Sequence, residues 1–198
     1  PFSLESLVDE VASVGRALSQ RRDVEFLVRL HSDVHDGLIG DPLRLRQVLI
    51  NLVSNAIKFT PVGGLVRLEV DAAPASEGRA GLVFTVRDEG PGIAPDQLEA
   101  LFRPFEQGDA GVAREFGGTG LGLAIVRQLV TLMKGELRVD SAPGEGAAFR
   151  VQLALRKSPQ ALPHRDYARL DFTGQRLLLV EPVTAVQEVL AAYARDLG

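Results

Sequence analysis

Gly117-Gly118-Thr119-Gly120-Leu121-Gly122-Leu123 runs straight into a helical pattern that continues from Thr119 to Lys134, with Gly135 placed as its C-cap. Glycines let backbone N–H groups crowd round an anion, and a helix start adds partial positive charge at the same place. The spacing is neither GxGxxG nor GxxxxGK[ST], so the dinucleotide-fold and P-loop readings fail. Alone, the run also suits a helix start pared down for packing. What precedes it decides the fold.

Upstream, Asp41-Pro42 is a helix start signal, an N-cap carboxylate followed by proline at the first helical position. The helix it opens is expected to reach Phe59. On a wheel of ~100° per residue, Leu45, Val48, Leu49, Leu52, Val53 and Ala56 form one apolar stripe. Asn51, Asn55 and Lys58 form a narrow second stripe at the rim of the core. By itself that stripe reads first as a solvated face. Its chemistry nevertheless suits a nucleotide: an amide oxygen is a hard ligand for Mg²⁺, and a lysine one turn on could neutralise phosphate.

The strand ending at Asp88 carries Leu82, Phe84, Val86 and Asp88 on one face by period two. The carboxylate should therefore point the same way as the core residues, where it needs donors. The exocyclic amine of adenine is one such donor, and Gly90 and Gly92 would leave room for a planar base. An ordinary Asp-Gly turn between strands is the plainer reading of the same residues.

Around these elements the chain reads as alternating α and β. Residues 1–22 form an opening helix with Phe2, Leu4, Leu7, Val8, Val11, Val14 and Leu18 inward. A strand at 23–30 precedes a polar loop at 31–40. Strands at 65–70 and 81–88 are joined by a hairpin loop at 72–79. A short helix at 95–101 leads into an irregular stretch at 102–118. Strands at 136–139 and 148–155 close the unit, and 157–173 reads as a linker. A final strand at 175–180 and helix at 183–197 form one βα unit, too small to bury its own faces. The 198 residues are 45% hydrophobic and 24% charged, the balance of a globular protein. With no cysteine and three scattered histidines, disulfides, thiolate metal sites and a histidine cage drop out. A net charge of −4 argues against a general nucleic-acid binder. No apolar run reaches the ~18 residues of a membrane helix.

As a set and in this order, the motifs resemble the N, G1, F and G2 boxes of the GHKL (Bergerat) ATP-binding fold. The likeness is to the catalytic domain of sensor histidine kinases. Asn51-Leu-Val-Ser-Asn55-Ala-Ile-Lys58-Phe59-Thr60 is similar to the N box, and Phe102-Arg-Pro-Phe105-Glu-Gln to the F box. Ser141-Ala-Pro-Gly144-Glu-Gly146 is similar to the G3 turn. The resemblance implies a two-layer α/β sandwich, a mixed sheet of about five strands under three helices, with ATP and Mg²⁺ as cofactors. It implies Asn55 as the Mg²⁺ ligand, Lys58 as a phosphate contact and Asp88 as the reader of the adenine amine. Gly90, Gly92 and Ile93 would shape the base pocket. Gly118, Thr119, Gly120, Leu121, Gly122 and Leu123 would hold the triphosphate. Residues 103–117 would form a lid rooted on Phe102 and Phe105, two side chains that suit a plain core equally well.

GHKL hydrolases place a water-activating glutamate one turn before the magnesium asparagine. Here that place is Asn51, which cannot act as a base, so transfer to a supplied histidine is expected over hydrolysis. His31, His35 and His164 lack the flanks of a phosphorylated histidine, so the acceptor is expected on dimerisation helices outside this sequence. The opening segment, 1–20, resembles the end of the second dimerisation helix and its join to a catalytic domain at 21–156; the first dimerisation helix would lie in a longer parent. Gly174-Gln-Arg-Leu-Leu-Leu-Val180 resembles the start of a flavodoxin-like receiver, over residues 174–198. Glu181-Pro182 stands where receivers carry two acids, which implies a degenerate receiver in a hybrid kinase. Expected partners are therefore those helices and a receiver or response regulator, in the cytoplasm, with no nucleic acid and no membrane contact by this segment. One departure concerns Ala148, where the family often has threonine; a hydroxyl lost beside Asp88 would make nucleotide affinity modest. The alternative function is a nucleotide-binding docking or regulatory module of the same fold without phosphotransfer.

Overall fold

The computed structural model describes residues 1–98, 100–102 and 121–159, together with Gln187, Leu190 and Ala191. Its strands are β1 (Phe2–Ser3), β2 (Glu25–Leu30), β3 (Gly37–Ile39), β4 (Leu65–Ala73), β5 (Arg79–Asp88), β6 (Glu136–Ser141) and β7 (Ala147–Lys157). Helices α1 (Leu4–Gln20), α2 (Pro42–Phe59) and α3 (Gly122–Leu132) accompany them. The sheet runs β1-β3-β7-β5-β4-β2, with β6 also on β7. Only the β2–β4 pair is parallel, so the sheet is mixed as expected.

The sheet has seven strands where about five were expected. Both additions are short pieces without their own periodicity, and both exist only through distant partners. Phe2 and Ser3, read as helix, pair with Leu38 and Gly37, and Leu38 and Ile39, read as loop, pair with Lys157 and Arg156 at the far end of β7. The expected helix at 95–101 is also corrected. Gln97 bonds back to the Ala94 carbonyl (3.0 Å), and Ala100–Phe102 forms a 3₁₀ turn.

Helix α2 follows its sequence signals closely. Asp41 Oδ1 accepts the Arg44 N–H (3.1 Å), Pro42 occupies the first turn, and the helix stops at Phe59. The expected apolar stripe is buried, and Ile57 joins it. It packs on one face of the sheet, against Val66, Leu68 and Val70 of β4 and Leu82, Phe84 and Val86 of β5.

Helix α1 departs from expectation at one position. Val14 faces outward at 39% exposure, and Gly15 takes the inward place four residues after Val11. The Phe26 ring fills the space there, and a Cβ at Gly15 would come within 2.2 Å of it. Residues 1–20, read as the end of a dimerisation helix and its join, pack directly on the sheet's core. Leu4, Leu7, Val8 and Val11 lie in the same core cluster as α2 and the sheet.

At the end of α3 the left-handed residue is Lys134 (φ 59), not Gly135. Lys134 and Gly135 donate to the carbonyls of Thr131 and Val130, both at 2.9 Å, which closes the helix as a Schellman motif. Gly135 is needed for a different reason: a Cβ there would sit 2.3 Å from Leu153.

Gln187, Leu190 and Ala191, inside the expected terminal helix, are helical. The rest of 174–198, the stretch 103–117, and Phe105, Gly118, Thr119 and Gly120 lie outside the described residues.

Candidate nucleotide site

The second stripe of α2 places Asn51, Asn55 and Lys58 half-buried along its edge. Asn55 looks across at α3: its amide nitrogen lies 3.6 Å from where a Cβ on Gly122 would be. Leu121 is the N-cap residue of α3, and no side chain among the described residues caps that end. Helix starts leave N–H donors without intrahelical acceptors, so a hard amide ligand and an anion-seeking helix end stand side by side. Leu123 packs against the core beneath them.

Lys58 extends its ammonium over the Phe59 ring, 4.9 Å from the centroid. Burial, and then the neighbouring Arg22 charge, hold its pKa below the usual lysine value. Asn51, one turn before Asn55, contributes an amide and no carboxylate.

Asp88 ends β5 at 7% exposure, on the core face as its period predicted. Its Oδ1 accepts the N–H groups of Gly90 (2.9 Å) and Ala147 (3.3 Å). Oδ2 takes no hydrogen bond among the described residues and is not a buried orphan. An acceptor position remains open there for a donor such as adenine's amine. Burial pushes the Asp88 pKa up, against the two N–H bonds and Arg87, which pull it down.

The glycines beside Asp88 also have a packing role. A Cβ on Gly90 would meet Asp88 Oδ1 at 2.8 Å and the Phe59 carbonyl at 3.1 Å. Gly92 has φ +73, and its Cβ would fall 1.9 Å from the Ala142 carbonyl. The Asp88 loop is thus pressed against the turn at 141–146, where the Gly144 N–H donates to the Pro91 carbonyl (2.7 Å). Ser141, given no role by the sequence, is the hub of this contact. Its Oγ accepts from the Ile93 N–H (2.9 Å) and donates to the Gly146 carbonyl (2.7 Å). Its place at the head of the glycine turn was the available signal. Gly92→Ala should accordingly lower stability by about 3 kcal/mol or more, combining a strained φ with a backbone clash. Denaturant unfolding measures it; a loss below about 1 kcal/mol would contradict this interlock.

Ala148 is corrected by the register. It pairs with Arg87 and alternates away from the helices, whereas Ala147 pairs with Asp88. A hydroxyl at 148 would not face the carboxylate.

Residues 40–157 match the family described as histidine kinase-, DNA gyrase B- and HSP90-like ATPase. The chain belongs to this family. Within this ATPase family its relatives are sensor kinases. It is 36% identical to the sensor protein GacS of Pseudomonas syringae pv. syringae, over 100% of this chain and 22% of the relative. It is 38% identical to the signal transduction histidine-protein kinase BarA of Escherichia coli K12, over 95% of this chain and 20% of that protein. The chain therefore spans about a fifth of the length of these curated relatives. The crystal structure of full-length ShkA in complex with AMPPNP superposes with a TM-score of 0.79 at 32% identity, covering 100% of this chain and 39% of ShkA. The mycobacterial sensor histidine kinase MprB gives 0.60 at 31% identity, covering 79% of this chain and 97% of MprB. The GHKL-type α/β fold is the one these sensor kinases share.

With Asp88 read as the adenine acceptor, nucleotide affinity is expected to depend on pH. Adenine's amine needs an acceptor, so binding favours the ionised carboxylate. As pH falls through the raised pKa of Asp88, affinity should fall, because protonation turns the acceptor into a donor. Stability runs the other way. The folded state holds the proton over a higher range than the ordinary 3.8, so stability declines as pH rises from there to the folded value. Calorimetric titration of Mg-ATP across the acid range reads the first effect. Affinity flat with pH would contradict it.

Proposed function

We propose that this chain is the nucleotide-binding part of a hybrid sensor histidine kinase. In this reading it binds Mg-ATP and passes the γ-phosphoryl group to a histidine on dimerisation helices outside this sequence. The observation that carries it is the placement of the Asn55 amide against the uncapped start of α3. Asn51, rather than a carboxylate, stands one turn before it. The donor set fits a hard divalent cation that keeps most of its positions for phosphate and water. Bound there, Mg²⁺ would draw charge off the β- and γ-phosphate oxygens.

The chain's own residues bind and orient. Asp88 accepts from the purine amine, with Ile93 and the Gly90–Gly92 loop behind it. The start of α3 at Gly122 and Leu123 holds the phosphates through N–H groups, together with Gly118 to Leu121 on the sequence reading, and Lys58 adds a positive charge. A nitrogen–phosphorus bond to the imidazole forms as the bond to the bridging oxygen breaks, and ADP leaves with that oxygen. With no base at residue 51, water is not activated in competition.

The regulatory alternative drew on the missing hydroxyl at Ala148 and on the degenerate tail; the β5–β7 register puts the Ala148 side chain on the opposite face from Asp88, which weakens the first of these. For the tail, 174–198, we retain the reading as the start of a degenerate receiver. The GacS and ShkA matches run over the whole of this chain, which supports a shared arrangement through to its end. The proposed location is cytoplasmic; no helix among the described residues is long and apolar enough to cross a membrane.

The test is to mix the chain with γ-labelled ATP, Mg²⁺ and a separate dimerisation domain carrying the histidine. Acid-labile label on that domain is the expected result. Phosphate released to water with none on the histidine would replace this reading with a hydrolase.

A further inference from the structure

Arg22 lies in the turn between α1 and β2, and its guanidinium donates to the backbone carbonyl of Lys58 in the last turn of α2. Carbonyls in that turn lack partners within their own helix, and a cation beside them meets the negative end of the helix dipole. Two backbone bonds fasten the same turn to the loop that follows α2. The Gly63 N–H donates to the Asp23 carbonyl (2.6 Å), and the Glu25 N–H donates to the Gly64 carbonyl (2.8 Å). Asp23 adopts φ 53, which turns the chain sharply enough for both. The turn at 22–25 thus grips the chain on both sides of Phe59 and Thr60.

The far side of that segment is the nucleotide site. The Phe59 carbonyl abuts Gly90, the residue whose N–H holds Asp88 in place. Lys58 carries its ammonium over the Phe59 ring, with the Arg22 charge near enough to act on it. A line of contacts therefore runs from the end of α1, through Arg22, to the residues read here as phosphate and adenine contacts.

We infer that Arg22 is a positioning residue for the nucleotide: by holding the Lys58 carbonyl it fixes where Lys58 stands at the mouth of the cleft. The inference rests on the reading of Lys58 as a phosphate contact. It assigns the α1–β2 turn, outside all the motif boxes, a part in ATP affinity. The plain alternative is a helix cap that supports stability alone.

Calorimetric Mg-ATP affinity of the whole chain, with thermal unfolding alongside, separates the two across Arg22→Ala, Arg22→Met, Arg22→Lys, Lys58→Ala and the Arg22→Ala/Lys58→Ala pair. Arg22→Ala should weaken binding about tenfold, the scale of one charge-assisted hydrogen bond. Arg22→Lys, which can still donate and keeps its charge, should return to within about threefold of the original. The double variant should bind no more weakly than Lys58→Ala, because Arg22 acts through that residue. Should Arg22→Ala not fold, Arg22→Met, which keeps the length but has no donor, carries the same expectation of weakened binding. Losses that simply add, or undiminished binding in the Arg22 variants while Lys58→Ala is weakened, would overturn the inference and leave the Lys58 reading standing. Undiminished binding in Lys58→Ala would remove both.

Discussion

Asn55→Ala is expected to abolish phosphotransfer while leaving the fold intact. The side chain is half-buried at the rim of α2, its amide faces Gly122, and it fills no part of the core cluster. Its removal should cost about 0.5–1 kcal/mol of stability at most. The chemical loss should be far larger. Placing a divalent cation against the phosphates contributes several kcal/mol to a phosphoryl-transfer transition state, so transfer should drop by on the order of a hundredfold or more. Label on the separate histidine-bearing domain, at saturating ATP and over a range of Mg²⁺, measures it. Retention of more than about a tenth of the original rate, at unchanged Mg²⁺ dependence, would show that the ion is held elsewhere.

Asp88→Asn should separate binding from stability. The amide oxygen can still accept from Gly90 and Ala147, as Oδ1 does now. Its NH₂ would then occupy the position of Oδ2 and present a donor to adenine's own donor. Loss of a hydrogen bond to a charged acceptor, replaced by a donor clash, predicts affinity weaker by roughly ten- to a hundredfold. The melting temperature should hold or rise, because the substitution removes a charge that burial disfavours. An inosine nucleotide, which has no exocyclic amine, should lose much less between the two proteins. Equal affinity of both proteins for ATP would remove Asp88 from base recognition.

Much of this was legible in the chain. The Asp41-Pro42 start, the six-residue apolar stripe of α2 and the period-two face ending in Asp88 are local patterns with local physical causes, and each stands where it was expected. The stripe of Asn51, Asn55 and Lys58 followed from the same wheel. What failed was also physical. Helical spacing pointed to Val14 as an inward residue, but whether Val14 or Gly15 faces in depends on where the Phe26 ring lies. Strands β1 and β3 are too short to show a period and form only because Leu38 finds Phe2 on one side and Lys157 on the other. The αL position at Lys134 followed the hydrogen bonds of the Schellman turn, not the residue type that most often fills it.

The sequence by itself determined the alternation of α and β, the buried faces and the order of the motif boxes, because periodicity, capping and glycine chemistry act within a few residues. Only the tertiary structure decided which groups meet. Asn55 reaches the start of α3 because α2 and α3 lie on one face of the sheet. Ala147 rather than Ala148 faces Asp88 because of the β5–β7 register, and a shift of one residue would exchange them. Ser141 and Arg22 touch the site from segments distant in the chain. Contacts between such segments leave no local pattern to read; they exist once the core has closed and fixed one register and one helix arrangement.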